Sequence, residues 1–216
     1  MKRKVFTRTL LLFVFCFFSF SREATSQTVE VERFLDPGRA RSTGFLVSPQ
    51  DVVTNLHFGG DGAQERDSEQ FFRVFIGNTR YKAKIIKIYA HRDVVHLRIA
   101  QPAPNFFPLA APNTVPTAGD TLQIISFLGK EEGVFGELVR DDMHKLTRGN
   151  YLLLINQVCL EPGWSGAPVL LNGQVVGITL MSSIKSPNRN KVWVAAGLIP
   201  LGIWRAVLAG DNTSTW

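Results

Sequence analysis

The stretch Glu161-Pro-Gly-Trp-Ser-Gly-Ala-Pro-Val169 places one serine between two glycines and leads into the apolar run Val169-Leu170-Leu171. A serine hydroxyl becomes a useful nucleophile when a base takes its proton and backbone N–H groups are ready to bind the oxyanion. Gly163 and Gly166 tolerate the tight backbone that such a turn requires. Taken alone, the stretch is equally compatible with an ordinary Gly/Pro turn between two strands. The rest of the chain has to distinguish these interpretations.

The chain around this turn consists of short strand patterns separated by turn residues. Alternating or apolar runs are bounded by Gly, Pro, Asn and Asp, which is typical of β-proteins. We predict strands at residues 29–35, 43–47, 52–56, 71–76, 80–90, 93–99, 121–127, 133–139, 151–158, 167–171, 174–180 and 192–199. The alternation shifts by one residue after Ile85, which predicts a β-bulge. Asn172-Gly173 between two apolar runs predicts a tight hairpin.

Two segments lack a strand pattern. Five prolines lie between residues 101 and 120, and they exclude a central strand or helix there, so this segment is predicted to cross between two β units. Residues 200–210 predict one helix, with Leu201, Trp204 and Leu208 on its apolar face. A dozen strands and one late helix predict an all-β protein, built as a sandwich or as paired barrels.

The first 26 residues have the pattern of a secretory signal peptide. A basic start is followed by the apolar run Leu10 to Phe20 and by the A-x-S pattern Ala24-Thr25-Ser26. This run is shorter than the ~20 residues that span a membrane, so we favour cleavage over an uncleaved anchor. Cleavage after Ser21 is the alternative to cleavage after Ser26. We therefore expect a secreted or periplasmic protein with no stable membrane span once the signal is removed.

Composition limits the classes of partner. The chain is 45% hydrophobic and 19% charged, which is ordinary for a folded domain. Residues 1–26 hold five basic and one acidic side chain, so the net charge of +6 falls to +2 without them. The basic balance is therefore poor evidence for nucleic-acid binding, and no nucleic-acid partner is expected. Only Cys159 remains after cleavage, so no internal disulfide is expected.

A base and an orienting acid are found upstream of the serine. All four histidines precede Ser165, and this order excludes an α/β-hydrolase, in which the histidine follows the serine. His57 ends a predicted strand before a loop, where a side chain is held firmly and still faces a cleft; a surface histidine at a strand end is the alternative. Asp93 shares the apolar face of its predicted strand, so its charge needs a partner, and a histidine Nδ1–H is a suitable one.

A metal site is the competing interpretation of these residues. His91, Asp93 and His96 lie close together in the sequence. The alternation places His96 on the opposite, solvent-facing side of the strand with Arg98, and no cysteine or glutamate completes a ligand set. We therefore expect neither a metal nor a cofactor.

Five blocks resemble, in the correct order, the trypsin/chymotrypsin-like serine proteases, and most closely the protease domain of HtrA-like enzymes. They are residues 42–57 (STGFLVS and VVTNLH), 93–99 (DVVHLRI), 163–169 (GWSGAPV), 175–178 (VVGI) and 197–200 (GLIP). The resemblance implies two six-stranded antiparallel β-barrels of the chymotrypsin type and a C-terminal helix. The implied bounds are barrel one at about 27–100, the crossover at 101–120, barrel two at 121–199 and the helix at 200–209.

The resemblance also implies a function. Ser165 would attack a peptide carbonyl, His57 would act as general base and acid, and Asp93 would orient His57. The N–H groups of Gly163 and Ser165 would hold the oxyanion. The expected protein is an exported serine endopeptidase that acts on polypeptides through an acyl-enzyme. A catalytically weak or inactive protease-like binding module is the alternative.

The specificity pocket implied by the resemblance is apolar. Its base would be Cys159, six residues before the serine, and its wall would be Leu180, Met181 and Ser182. No acidic side chain is present there to attract Lys or Arg, so we expect a small or medium apolar residue just before the cut. Cleavage after Lys, Arg or Glu in a peptide library would contradict this expectation.

The chain departs from the family pattern at several points. Trp164 stands where a small polar residue is usual, so pairing of that residue with a newly cut N-terminus, and zymogen activation of that kind, are not expected. Leu180 stands where a small polar side chain often supports the acid. The chain ends soon after the predicted helix, so no PDZ domain is expected.

Overall fold

Two β-barrels account for most of the chain that the structure describes. The computed structural model describes residues 27–35, 38–57, 72–112, 114–140, 151–185 and 192–209. The predicted signal peptide, residues 1–26, lies outside them. Within the described residues, two antiparallel sheets each close into a six-stranded barrel, and none of the helices there is long and apolar enough to cross a membrane.

Barrel one is formed by the N-terminal half of the chain. Its strands are β1 (Thr28–Leu35), β2 (Gly38–Leu46), β3 (Asp51–Asn55), β4 (Phe72–Ile76), β5 (Thr79–Tyr89) and β6 (Val94–Ile99). They pair in the order β1-β2-β3-β6-β5-β4, and β4 closes the barrel on β1. The register of β5 against β6 shifts between Ile85 and Lys87, which confirms the predicted bulge.

Barrel two follows the proline-rich segment. Its strands are β7 (Thr121–Ser126), β8 (Gly129–Arg140), β9 (Tyr151–Asn156), β10 (Pro168–Leu171), β11 (Gln174–Lys185) and β12 (Val192–Leu198). The order is β10-β11-β12-β9-β8-β7, closed by β10 on β7. Asn172 and Gly173 have φ of 52° and 78°, as the predicted tight hairpin requires. Together with helix α1 (Leu201–Leu208), the two barrels confirm the predicted fold class.

Three groups of buried apolar side chains hold this arrangement together. One fills barrel one and includes Val31, Val52 and Leu97. A second fills barrel two and includes Ile124, Leu153 and Trp164. The third, here called the inter-barrel layer, joins Phe45, Val53 and Val94 of barrel one to Leu154, Ile178 and Leu180 of barrel two, with Phe107 and Ile203. Each fully buried large apolar side chain contributes about 1.5–3 kcal/mol, so this layer holds the two barrels in fixed relative positions.

Helix α1 contacts the protein through a different face from the predicted one. Ile203 is buried and Val207 packs against the inter-barrel layer, whereas Leu201 and Leu208 are exposed. The predicted face is therefore wrong for Leu201 and Leu208, whereas Trp204 is half-buried and donates its Nε1–H to the Ala110 carbonyl at 2.5 Å. The helical period of this short segment offers two apolar stripes, and the surface against which the helix lies selects between them.

A charged cluster is buried where β3 and β6 pair through Asp51 and Arg98. Asp51 Oδ1 accepts hydrogen bonds from His96 Nε2 at 2.8 Å and from Arg98 Nε at 3.0 Å, and Oδ2 accepts one from Ser48 Oγ at 2.5 Å. The side chain of His96 is 1% exposed, so the prediction that it faces solvent is wrong. The face of β6 that carries His96 also carries Val94, which packs in the inter-barrel layer, so both faces of this strand are covered.

The cluster makes the stability of the protein depend on pH. Burial alone would raise the pKa of Asp51, but hydrogen bonds from His96 and Ser48, the charge of His96 and the hydrogen bond from Arg98 lower it to about 2. Because this value lies below that of the unfolded chain, the ionised carboxylate stabilises the fold at neutral pH by about 2 kcal/mol. That contribution is present above about pH 4 and is lost as the pH falls towards 2.

Asp51→Asn is therefore expected to lower the free energy of unfolding at pH 7 by about 2 kcal/mol or more. The difference from the wild type should shrink below pH 4 and largely disappear near pH 2. Urea denaturation at stepped pH values measures it. Glu132→Gln, which breaks an exposed pair with Lys130, is the control and should change the free energy of unfolding by less than about 1 kcal/mol. An Asp51→Asn effect that does not vary with pH would contradict the assignment.

Candidate active site

The serine lies in a loop between β9 and β10 whose shape follows from its proline and glycines. The Trp164 N–H donates to the Glu161 carbonyl at 3.2 Å, and Gly163 has φ of 101°. Pro162 and Gly163 thus occupy the central positions of a type II turn, which favours these two residues. Gly166, directly after the serine, has φ of 82°. The loop presents Ser165 between two residues in conformations that glycine adopts readily.

The base and its acid come together because β3 and β6 are paired. Asn55 at the end of β3 lies opposite Val94 at the start of β6, so His57 and Asp93 flank the same end of the pair. Asp93 has φ of 54° and is 3% exposed. Its Oδ1 accepts a hydrogen bond from the His57 main-chain N–H at 2.6 Å, and its Oδ2 is hydrogen-bonded to His57 Nδ1. One carboxylate therefore holds both the backbone and the ring of His57.

The three predicted side chains meet across the interface between the barrels. His57 Nε2 lies 3.3 Å from Ser165 Oγ. With the Nδ1–H donated to Asp93, Nε2 carries the lone pair and accepts from the serine hydroxyl. The side chain of His57 is 36% exposed, whereas that of Asp93 is 5% exposed. A partly exposed imidazole thus rests on a buried carboxylate, which is the geometry that a serine–histidine–aspartate triad requires.

Two main-chain N–H groups in the serine loop have no hydrogen-bond partner among the described residues. Among the residues that the structure describes, the N–H groups of Gly163 and Ser165 donate to no other protein group. Their carbonyls, in contrast, are both hydrogen-bonded to barrel one. The two N–H groups are therefore available for a ligand oxygen, as an oxyanion hole requires.

The serine loop is held from both barrels. Thr43 on β2 donates its N–H to the Ser165 carbonyl at 2.9 Å and its Oγ1–H to the Gly163 carbonyl at 2.7 Å. Ser42 Oγ also donates to the Ser165 carbonyl, at 2.5 Å. From barrel two, Gly166 N–H donates to the Thr179 carbonyl at 2.9 Å. Ser42 and Thr43 were not predicted from the sequence as residues that hold the serine loop. The available sign was that these two polar residues begin an otherwise apolar run of sequence.

Trp164 anchors the loop through apolar packing. Its side chain is 7% exposed and belongs to the core of barrel two. A Cβ placed on Gly129 would lie 3.9 Å from Trp164 Cζ2, so the indole rests against the start of β8. The residue before the serine is thus held by burial of a large ring, which accounts for an aromatic at this position.

The predicted specificity residues occupy different environments. Cys159 is exposed and carries a free thiol. Leu180 is 3% exposed and packs within the inter-barrel layer. Met181 and Ser182 lie on β11, but their side chains are outside the described part of the structure. A separate cavity of ≈ 360 Å³, lined by residues that include Ala110, Val175 and Trp204, has none of the triad residues in its wall.

The three residues of the competing metal interpretation do not come together in the structure. In the part of the chain that the structure describes, no group of three or more His, Cys, Asp and Glu side chains is placed to hold a metal ion. His91 lies within a 3-10 turn (Ala90–Arg92) and Asp93 follows that turn, while His96 is hydrogen-bonded within the Asp51 cluster. The three residues therefore serve different parts of the protein.

Comparison with known proteins agrees with the fold. Residues 42–178 match the family model of the trypsin-like peptidase domain, whereas no curated protein sequence matches the chain. The active form of the Rv3671c protease from M. tuberculosis superimposes with a TM-score of 0.66 at 19% identity, over 90% of this chain and 84% of that one. The MamO protease domain from Magnetospirillum magneticum gives 0.59 at 17% identity, over 85% and 96%. Because the family model covers well over half of its length, the chain belongs to the trypsin-like peptidase family.

Proposed function

We propose that this protein is an exported serine endopeptidase that cleaves polypeptides through an acyl-enzyme. The observation that carries the proposal is the 3.3 Å contact between His57 Nε2 and Ser165 Oγ, on a histidine whose other nitrogen is bonded to buried Asp93. A nucleophile, a base and an orienting acid in mutual contact are the requirement for activating a serine.

The first half of the reaction forms the acyl-enzyme. Ser165 Oγ gives its proton to His57 Nε2 and bonds to the carbonyl carbon of the substrate, while the carbonyl π electrons move onto its oxygen. The N–H groups of Gly163 and Ser165 bind that oxyanion, and one such donor is worth about 3 kcal/mol of transition-state stabilisation. His57 then protonates the leaving amine as the C–N bond breaks, with Asp93 stabilising its charged form.

The second half of the reaction releases the carboxylic acid product. A water molecule gives a proton to His57 Nε2 and attacks the acyl carbon. His57 returns that proton to Ser165 Oγ as the ester bond breaks. The exposed ring of His57 gives both the substrate and the water access to the reacting atoms.

Substrate preference and location are further parts of the proposal. Cys159, Met181 and Ser182 would line the pocket for the residue before the cut, and they favour a small or medium apolar side chain. Leu180 is buried in the inter-barrel layer, so it is not part of the proposed pocket. The signal pattern in residues 1–26 supports a secreted or periplasmic enzyme. The intact mass of the exported product distinguishes cleavage after Ser26 from cleavage after Ser21. Retention of the full-length chain in the cytoplasm would contradict export.

The test of function is reaction with an active-site serine probe. The folded protein from residue 27 onward is incubated with a fluorophosphonate, and peptide mass spectrometry locates the adduct. One adduct on Ser165 that is absent from a guanidinium-unfolded sample is the expected result. A folded protein that acquires no adduct would overturn the proposal and favour the protease-like binding module.

A further inference from the structure

We propose that Thr43 is a positioning residue, whose hydroxyl sets the placement of the nucleophile loop relative to the catalytic base. This inference rests on the proposed peptidase function and adds a residue outside the triad and the oxyanion donors. Three observations support it. They are the hydrogen bonds of Thr43 to the serine loop, its hydrogen bond to the strand that precedes His57, and the bond that only its hydroxyl makes.

Thr43 bonds to the main chain on both sides of the residue that precedes the nucleophile. Its Oγ1–H reaches the Gly163 carbonyl at 2.7 Å and its N–H reaches the Ser165 carbonyl at 2.9 Å. Thr43 itself is fully buried, with no exposed surface. With the peptide groups after Gly163 and after Ser165 both held, the serine and the two free N–H groups have little freedom to move.

Thr43 is also connected directly to the strand that carries the base. Its carbonyl accepts a hydrogen bond from Thr54 Oγ1 at 2.8 Å, and Thr54 lies on β3, three residues before His57. β2 and β3 are paired through Phe45 and Val53. A continuous set of hydrogen bonds therefore runs from the strand of the base, through Thr43, to the loop of the nucleophile.

Such a connection matters because the base and the nucleophile lie on different barrels. Along the chain, His57 and Ser165 are joined only through the long segment that includes the crossover at 101–120. Apolar packing holds the two barrels against each other, and hydrogen bonds, which are short and directional, fix the position of the nucleophile loop at that contact. The 3.3 Å contact between His57 and Ser165 therefore depends on the polar bonds that cross the interface beside it.

The hydroxyl is the part of Thr43 that a residue without a side-chain donor would not replace. Any residue but proline at this position supplies the N–H that binds the Ser165 carbonyl. Only a side-chain donor reaches the Gly163 carbonyl, which belongs to the turn that presents one of the two oxyanion donors. Loss of the hydroxyl should therefore loosen this turn while leaving β2 in place.

Two substitutions at Thr43 separate the hydroxyl from the shape of the side chain. Thr43→Val keeps the shape and removes the donor, whereas Thr43→Ser keeps the donor and removes a methyl group. We expect Thr43→Val to lower kcat about 10- to 100-fold, since a misplacement of about 1 Å costs that much. KM should stay within about threefold, because contacts to the bound substrate are unchanged. Thr43→Ser should restore most of the lost kcat.

Further readouts distinguish positioning from a general loss of structure. The rate of fluorophosphonate labelling should fall in parallel with kcat, while thermal unfolding reports whether each variant is folded. If Thr43→Val does not fold, Thr43→Ala is compared with Thr43→Ser, since these two differ only in the hydroxyl. Equal kcat for the donor and non-donor variants would overturn the inference while leaving the peptidase function intact.

Failure of the proposed peptidase function would give a different result from failure of the Thr43 inference. A folded wild type that reacts with neither peptides nor the fluorophosphonate would contradict the peptidase itself. Hydrogen–deuterium exchange of residues 161–166 then still tests Thr43, because the loop should exchange faster in Thr43→Val than in Thr43→Ser. Identical exchange in the two variants would overturn the positioning role.

Discussion

Ser165→Ala is expected to lower kcat for peptide hydrolysis by about 10⁶-fold, because removal of the nucleophile of a triad has an effect of this size. His57 and Asp93 lose their function with it, since they act through the serine oxygen. The oxyanion donors and substrate contacts would retain a weak residual rate, about 10³- to 10⁴-fold above that in water. Hydrolysis of a peptide ester or amide, measured with enzyme in excess, covers this range.

The fold of Ser165→Ala should be unchanged, because the main-chain carbonyl of residue 165 keeps its bonds to Ser42 and Thr43. Ser48→Ala is the matched control. It removes a serine hydroxyl that bonds to Asp51 within the charged cluster, so it should lower stability but not kcat. Activity of Ser165→Ala within 100-fold of the wild type would mean that another group is the nucleophile.

The second large effect is expected at the glycine after the serine. A Cβ on Gly166 would lie 2.0 Å from the main-chain carbonyl oxygen of Thr43. Its φ of 82° is in addition unfavourable for a residue with a side chain. The contact is with backbone, so no side-chain rotation relieves it, and barrel one must move away from the loop. We expect Gly166→Ala to lower the free energy of unfolding by about 2–5 kcal/mol.

Activity should fall with it, because the displaced loop moves Ser165 away from His57, and a shift of about 1 Å lowers kcat by about 100-fold. Gly173→Ala is the control for backbone strain alone. Gly173 has a similar φ of 78°, but nothing lies within 4 Å of the added Cβ. Gly173→Ala should lower the free energy of unfolding by about 1–2 kcal/mol and leave kcat unchanged. Equal stability of the two variants would show that the clash with Thr43 is absent in solution.

Much of the fold is predictable from local patterns. The prolines of 101–120 cannot enter a central strand, and Asn172-Gly173 suits one kind of turn. These residues therefore restrict the local backbone whatever lies next to them in the folded protein. The bulge after Ile85 follows from the alternation in the same way. His57, Asp93 and Ser165 were found because their order and flanking blocks match a known pattern, and the structure brings their side chains into contact.

The two wrong predictions of which side chains are buried share one cause. His96 has the sequence position of a solvent-facing residue, and Leu201 and Leu208 have that of a buried helical face, yet the structure reverses both. Periodicity tells which residues share a face, but it does not tell what covers that face. His96 is buried because its side chain bonds Asp51 within the charged cluster, on the face of β6 whose Val94 packs in the inter-barrel layer. Helix α1 uses Ile203 because of the surface on which it lies.

The amino-acid sequence by itself determined the short strands, the turns between them and the types of side chain available for chemistry, since these depend on neighbours along the chain. The tertiary structure alone decided how barrel one meets the loop of Ser165, because that contact joins residues more than a hundred positions apart. The same holds for Trp164, whose burial against Gly129 has no local signal. Ser165 lies next to His57 because the inter-barrel layer and the hydrogen bonds of Thr43 to the serine loop join the two barrels at this point.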